Sequence, residues 1–313
     1  MKHYEFSRGM DYAAIVAASE RVVWTVDEVF HDRHFDASRP MVPASWVGIG
    51  DLDFLSEDEQ RVLNHCRAFS YAHLLGNFEE FAPPHLGSIV EQHWHDDRAR
   101  LRALLRFGDE ELKHQQLLRR AELVLEQSCG HPFVRYFDDD KMRVTALTAE
   151  ILAHPPLPRF LMVLALEWGT QRHYVESIRD RTAEHGDPLY VDVLKAHWIE
   201  EAQHTKSDAL EIARLARTMT QNELDAAFDH VLAIGGLVDA AFAGQAAAEI
   251  DTLRQVGGRT FSTTEETTLH ETLQRSLAAI FAGVGLSHPR FASVVLALSA
   301  KGASKLGIAH RGP

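Results

Sequence analysis

Two short stretches of the chain repeat one chemical pattern: Glu111-Leu112-Lys113-His114 and Glu201-Ala202-Gln203-His204. Each sets an imidazole three residues after a carboxylate. On a helix that spacing places both side chains on one face, where they reach a common point. A carboxylate can bridge two metal ions while an imidazole binds one of them. Two such motifs, with one further Glu from each of two other helices, make a four-helix carboxylate metal site. The motif alone is weak. A third copy, Glu28-Val29-Phe30-His31, has no carboxylate helix before it and is expected to be coincidental.

The accompanying pattern is more demanding. Antiparallel neighbours that each place a ligand at mid-height need about 30 residues between ligands, at 1.5 Å rise per residue. Glu79-Glu80 stands at about that distance before Glu111, and Glu167 before Glu201. The order is therefore carboxylate, Glu-x-x-His, carboxylate, Glu-x-x-His. Glu167 lies in the apolar run Phe160-Leu161-Met162-Val163-Leu164-Ala165-Leu166. A helix that is apolar all round is buried, and a buried carboxylate needs a partner. The plainer reading of Glu167 is a Glu that pairs with Arg172 or points out at the helix rim.

His197, Glu201 and His204 stand at i, i+4 and i+7, one stripe of a helix. His197 is either a direct ligand or an imidazole behind the ligands. Of the doubled acids upstream, Glu79 falls at the edge of the face made by Ala68, Ala72, Leu75 and Ala82. Glu80 falls with His73 and Asn77, which read as more solvated. Both stay candidates, with Glu79 preferred. Glu110 and Glu200 are each one residue too far from their His for the i, i+3 reach.

Imidazole with several carboxylates and no thiolate suits iron, with manganese second, over structural zinc. No His-Glu-x-x-His hydrolase motif occurs. With these residues in place, the chain resembles the ferritin-like diiron carboxylate proteins. The added His197, giving His-x-x-x-Glu-x-x-His, resembles the p-aminobenzoate N-oxygenase family within that group. The resemblance covers about residues 56–213. It implies Glu79 (or Glu80), Glu111, His114, Glu167, His197, Glu201 and His204 as ligands of two iron ions. It also implies O2 and an external electron donor, with a peroxo-level oxidant that transfers oxygen to a small-molecule substrate, an aromatic amine by family analogy. Diiron oxidation at carbon (hydroxylase, desaturase or decarboxylase) and a non-enzymatic iron-binding or ferroxidase role are the alternatives. Trp168, Phe78 and Tyr71 either line an apolar substrate pocket or are ordinary core. His173 and Tyr174 stand undecided between a place behind the ligands and partial exposure.

These residues need long helices to hold them, and helical periodicity dominates the sequence. The expected helices are 12–31, a long one from Ser56 (N-cap, with Glu59 completing a capping box) to 82, then 88–127 with an interruption near Gly108. Others are expected at 159–184, 189–218, 221–255, 264–281 and 291–299. Pro83-Pro84 should break or kink the second. The fold expected is all-α: a ferritin-like four-helix bundle over about 56–218 with flanking helices over about 221–300, in one domain of 313 residues.

Bulk properties narrow the partners. The net charge of −13 argues against nucleic acid and anionic membrane surfaces. No uncharged apolar run reaches about 18 residues, so no span is expected. The opening Met1-Lys2-His3-Tyr4-Glu5 does not read as a secretory leader, and none is expected. Cys66 and Cys129, the two cysteines, show no disulfide framework or thiolate metal motif, and a reducing cytoplasm is the expected location. A homodimer is the statistical expectation.

Overall fold

The computed structural model describes residues 4–95, 97–137, 142–179 and 186–308. Among them there is helix and no strand. Two short helices come first, α1 (Tyr12–Ser19) and α2 (Val26–Phe30). The single helix expected over 12–31 is thus divided. Thr25 starts α2 afresh with its own capping box to Glu28, and His31 ends it in the left-handed conformation. The chance motif therefore has no helical pair: Glu28 is spent on the cap.

Helix α3 (Glu57–Glu79) begins at the expected Ser56–Glu59 capping box. It stops at Glu79, and α4 (Ala82–Gln92) follows with Pro83 and Pro84 in its first turn. A missing N–H costs nothing in that turn, so the prolines open a helix instead of kinking one. α5 (Arg98–Cys129) runs unbroken through Gly108, against the expected interruption, and ends at Gly130 in the left-handed region (φ 65°). α6 (Met142–Leu152) was not foreseen. α7 (Pro156–His173) passes into a π-helical stretch over Tyr174–Arg179; the expected end at 180–184 lies outside the described residues.

α8 (Pro188–Ala216) and α9 (Gln221–Gly257) match expectation closely. α10 (Thr263–Ala278) leads through a π turn to α11 (Val284–Leu286), then α12 (Pro289–Leu298) and the unforeseen α13 (Ala300–Lys305).

α3 packs on α5, α5 on α8, and α8 on α7, while α9 touches both α3 and α7. Gly285 permits the closest approach to α7: a Cβ there would overlap the Ala165 carbonyl oxygen. By length and hydropathy α9 would suit a membrane span, although no uncharged run was expected. Its inward face is taken by the protein. Glu249 there accepts two bonds from Arg67 (2.9 and 2.7 Å), and both residues are fully buried.

Candidate metal centre

The four long helices bring the motif residues to one buried place. Glu79 is the last residue of α3, Glu111 and His114 lie midway along α5, Glu167 sits on α7, and His197, Glu201 and His204 on α8. All seven are buried. Glu79, His114, His197 and Glu201 offer ligand atoms within 4.8 Å of one another, and so do Glu111, His114, Glu201 and His204. The two groups share His114 and Glu201. Glu167 joins through His204, its Oε1 lying 3.7 Å from His204 Nδ1. The rim pairing with Arg172 is not made, because Arg172 donates to Glu176 instead (2.8 Å).

Glu80 does not belong to the cluster. It is the residue that caps α3, it is more than a third exposed, and it accepts from Arg119 (2.9 Å). The helical wheel also misjudged its neighbours. His73 and Asn77 are buried, and Arg119 satisfies that face by donating to Asn77 Oδ1 and Glu122 Oε1 (2.7 Å each).

The interior atoms of the cluster lack hydrogen-bond partners. Glu79 Oε2, Glu111 Oε1, Glu167 Oε2, His114 Nδ1 and His204 Nδ1 are buried and unsatisfied. His204 Nδ1 approaches Glu111 Oε1 to 2.9 Å and His114 Nδ1 approaches Glu201 Oε1 to 3.1 Å, yet neither contact has hydrogen-bond direction. Atoms that converge on one point without bonding each other are an arrangement that could hold an ion. Four carboxylates with imidazoles and no thiolate form a donor set compatible with a metal site.

The outer nitrogens are fixed by two residues that spacing had set aside. His114 Nε2–H donates to Glu200 (3.0 Å), and His204 Nε2–H donates to Glu110 (3.1 Å). Each motif thus supplies the carboxylate that orients the other motif's histidine, and the inward Nδ1 is left to bind. The doubling itself, Glu110-Glu111 and Glu200-Glu201, was the available signal. Lys113 also donates to Glu200 (2.5 Å), and Ser19 from α1 donates to Glu110. Phe107 stacks on His204 (3.9 Å between rings) and Trp24 lies parallel to His114 at 6.2 Å.

Burial and crowded charge set the electrostatics of the cluster. Burial, then the Glu111 carboxylate, pushes Glu79 well above the usual range. Burial opposes charge on His114, but the Glu200 and Glu201 carboxylates win and hold it at about 10. His204 is raised in the same way by Glu201, Glu110 and Glu111 against its burial. His197 goes the other way, pushed down by burial and by His114 and His204. Its Nε2 meets Glu79 Oε1 at 2.6 Å. One turn past His204, Asp208 is fully buried without a partner, and burial raises its carboxyl well above the usual range.

A small cavity of about 50 Å³ opens on Glu79, Glu111, Glu167, His197 and Glu201. Its other walls are mainly apolar, including Phe78, Phe81, Met162, Leu166 and, from α6, Leu147 and Ile151. Of the aromatic candidates, Phe78 lines it. Tyr71 is core, stacked on Phe281, and Trp168 faces away, stacked on His288 beneath Arg290. His173 is buried against Trp46 (4.0 Å), and burial lowers its pKa to about 3.

Compared with known protein families and with curated proteins, the chain matches none.

Proposed function

We propose that this chain is a non-haem diiron oxygenase built on a ferritin-like four-helix bundle of α3, α5, α7 and α8, and that it transfers oxygen to the nitrogen of a small amine. The observation that carries the reading is the set of five buried ligand atoms without hydrogen-bond partners, gathered from all four helices. Glu79 and His114, with His197, would hold one ion. Glu167 and His204 would hold the other, and Glu111 and Glu201 stand between. Four carboxylates balance two divalent cations. When bound, the iron pair supplies the redox chemistry that activates O2, with electrons from an external donor.

The chain's own residues do the rest. Glu200 and Glu110 keep the Nε2–H tautomers of His114 and His204, so that each Nδ1 lone pair points inward. The apolar walls keep bulk water from the site and receive an uncharged substrate. The open volume equals only a few water molecules, so Phe78, Phe81 or Met162 must move when a ring enters. An apolar wall beside the cluster speaks against a ferroxidase, which needs a polar path for iron. The assignment to nitrogen follows the third imidazole, His197, and its resemblance to the p-aminobenzoate N-oxygenase family. Among the lining residues only Asn77, Thr148 and Thr170 add polarity beyond the cluster. That favours oxidation at carbon as the second reading.

The test is metal content with Mössbauer spectra on protein grown with iron, reduced and exposed to O2, followed by an arylamine screen. Two irons per chain are expected in the natural protein and in Glu28→Ala, and none in Glu201→Ala. Zinc in place of iron as the metal lost in Glu201→Ala, or iron lost from Glu28→Ala, would overturn the assignment.

A further inference from the structure

The cysteines have no part in the carboxylate centre, yet one of them meets two histidines elsewhere. His65 on α3, Cys129 at the end of α5 and His131 just beyond it each place one ligand atom within 4.8 Å of the others. By helical rise, 14 residues along α3 separate His65 from Glu79, about 21 Å, so this cluster is remote from the first.

Two of the three donor atoms stand at the spacing a chelate needs. His65 Nε2 lies 3.1 Å from the Arg39 carbonyl, which only accepts, so the ring proton sits there and Nδ1 keeps its lone pair. That Nδ1 is 3.3 Å from His131 Nε2. Two imidazole nitrogens at about 2.0–2.1 Å from one tetrahedral ion stand about 3.3–3.4 Å apart. A thiolate at about 2.3 Å would stand about 3.6 Å from each nitrogen. Cys129 need close by no more than about 1.2 Å from its limit of 4.8 Å, within the reach of a side-chain rotation.

The surroundings agree. His65 is fully buried, while Cys129 and His131 are partly exposed and leave a path for an ion. Cys129 ends a 32-residue helix, where the backbone carbonyls carry partial negative charge. Arg61, the nearby cation that acts on both imidazoles, is paired with Asp58 at 2.6 Å.

We infer that His65, Cys129 and His131 form a second metal site for one borderline-soft divalent ion of the zinc class, its fourth position open to solvent. Bound there, the ion ties the end of α5 to α3. This site does not depend on the diiron reading.

Cobalt(II) tests it, because the carboxylate centre contains no sulfur and gives no sulfur-to-cobalt charge transfer. Reduced full-length protein is titrated with cobalt(II) and followed in the near ultraviolet. The expected result is a charge-transfer band with the intensity of one thiolate–cobalt bond per chain, displaced by zinc. It should vanish in Cys129→Ser, weaken in His131→Ala and persist in Cys66→Ala. No band in the natural protein, or a band that survives Cys129→Ser, would overturn the proposal and leave His65–His131 as a plain hydrogen bond.

Discussion

On the two-ion centre proposed above, replacing Glu200 by Gln should weaken the binding of one ion and spare the other. Gln keeps the shape and an oxygen that accepts from His114 Nε2–H, a bond of 3.0 Å in the natural protein. What it removes is the charge. A hydrogen bond to an ionised acceptor contributes about 1.5–3 kcal/mol against about 0.5–1.5 for a neutral one. The difference, about 1–1.5 kcal/mol, is about five- to twelvefold in affinity. Ala goes further, because it leaves a buried imidazole N–H without an acceptor, and the loss should approach 100-fold. Lys113 loses its partner in either variant, but its side chain is about a quarter exposed and can turn to water. Chelator competition with iron(II) under anaerobic conditions resolves the two binding steps. Only the His114 step should weaken, and Glu110→Gln should weaken the His204 step alone. Glu80→Ala, which touches Arg119 outside the cluster, should change neither. Full affinity at both steps in Glu200→Ala, with the fold intact by circular dichroism, would refute the argument that outer carboxylates orient these rings.

Two further outcomes follow from the geometry. In metal-free protein the pKa of His114 is raised from 6.5 to about 10, so its contribution to stability is whole below 6.5 and lost as pH rises through about 10. Glu79, raised from its ordinary 4.5, acts in the same direction; thermal melts of the metal-free protein should fall across this window, and a flat profile would contradict the assigned protonation. Gly285→Ala drives a methyl group into the Ala165 carbonyl, which should cost about 1–3 kcal/mol and, by displacing α7 two residues before Glu167, lower metal occupancy; differential scanning calorimetry and metal analysis check both.

Much of this cluster was legible because its residues obey helical spacing: i, i+3 within a motif, and one long helix following another from each lone Glu to the next motif, although α4 intervenes between Glu79 and Glu111. Glu79 and not Glu80 stands in the buried cluster for a reason the wheel does not contain, namely where α3 stops. Polarity misplaced His73 and Asn77, since a polar helix face can be internal when Arg119 and Glu122 satisfy it. The same limit hid Arg67 and Glu249, 182 residues apart and fully buried together. Glu110 and Glu200 were discounted because reach was measured only within one helix. The cluster of Cys129 with His65 and His131 joins residues with no common spacing, which only the packing of α3 on the end of α5 brings together. α6 was missed because its sequence mixes helix formers with Val144, Thr145 and Thr148.

The crossed pairing of the two motifs has a mechanical meaning. Glu110 sits on α5 and holds a histidine of α8, while Glu200 sits on α8 and holds a histidine of α5. Sliding either helix by a single residue, about 1.5 Å, would break both bonds at once and swing both rings off their lone-pair directions. The pair therefore works as a vernier between two long rods, and alignment of α5 with α8 is gauged at the inward Nδ1 atoms of His114 and His204. A distant change that lets these helices creep would turn those two rings before it unwound either helix.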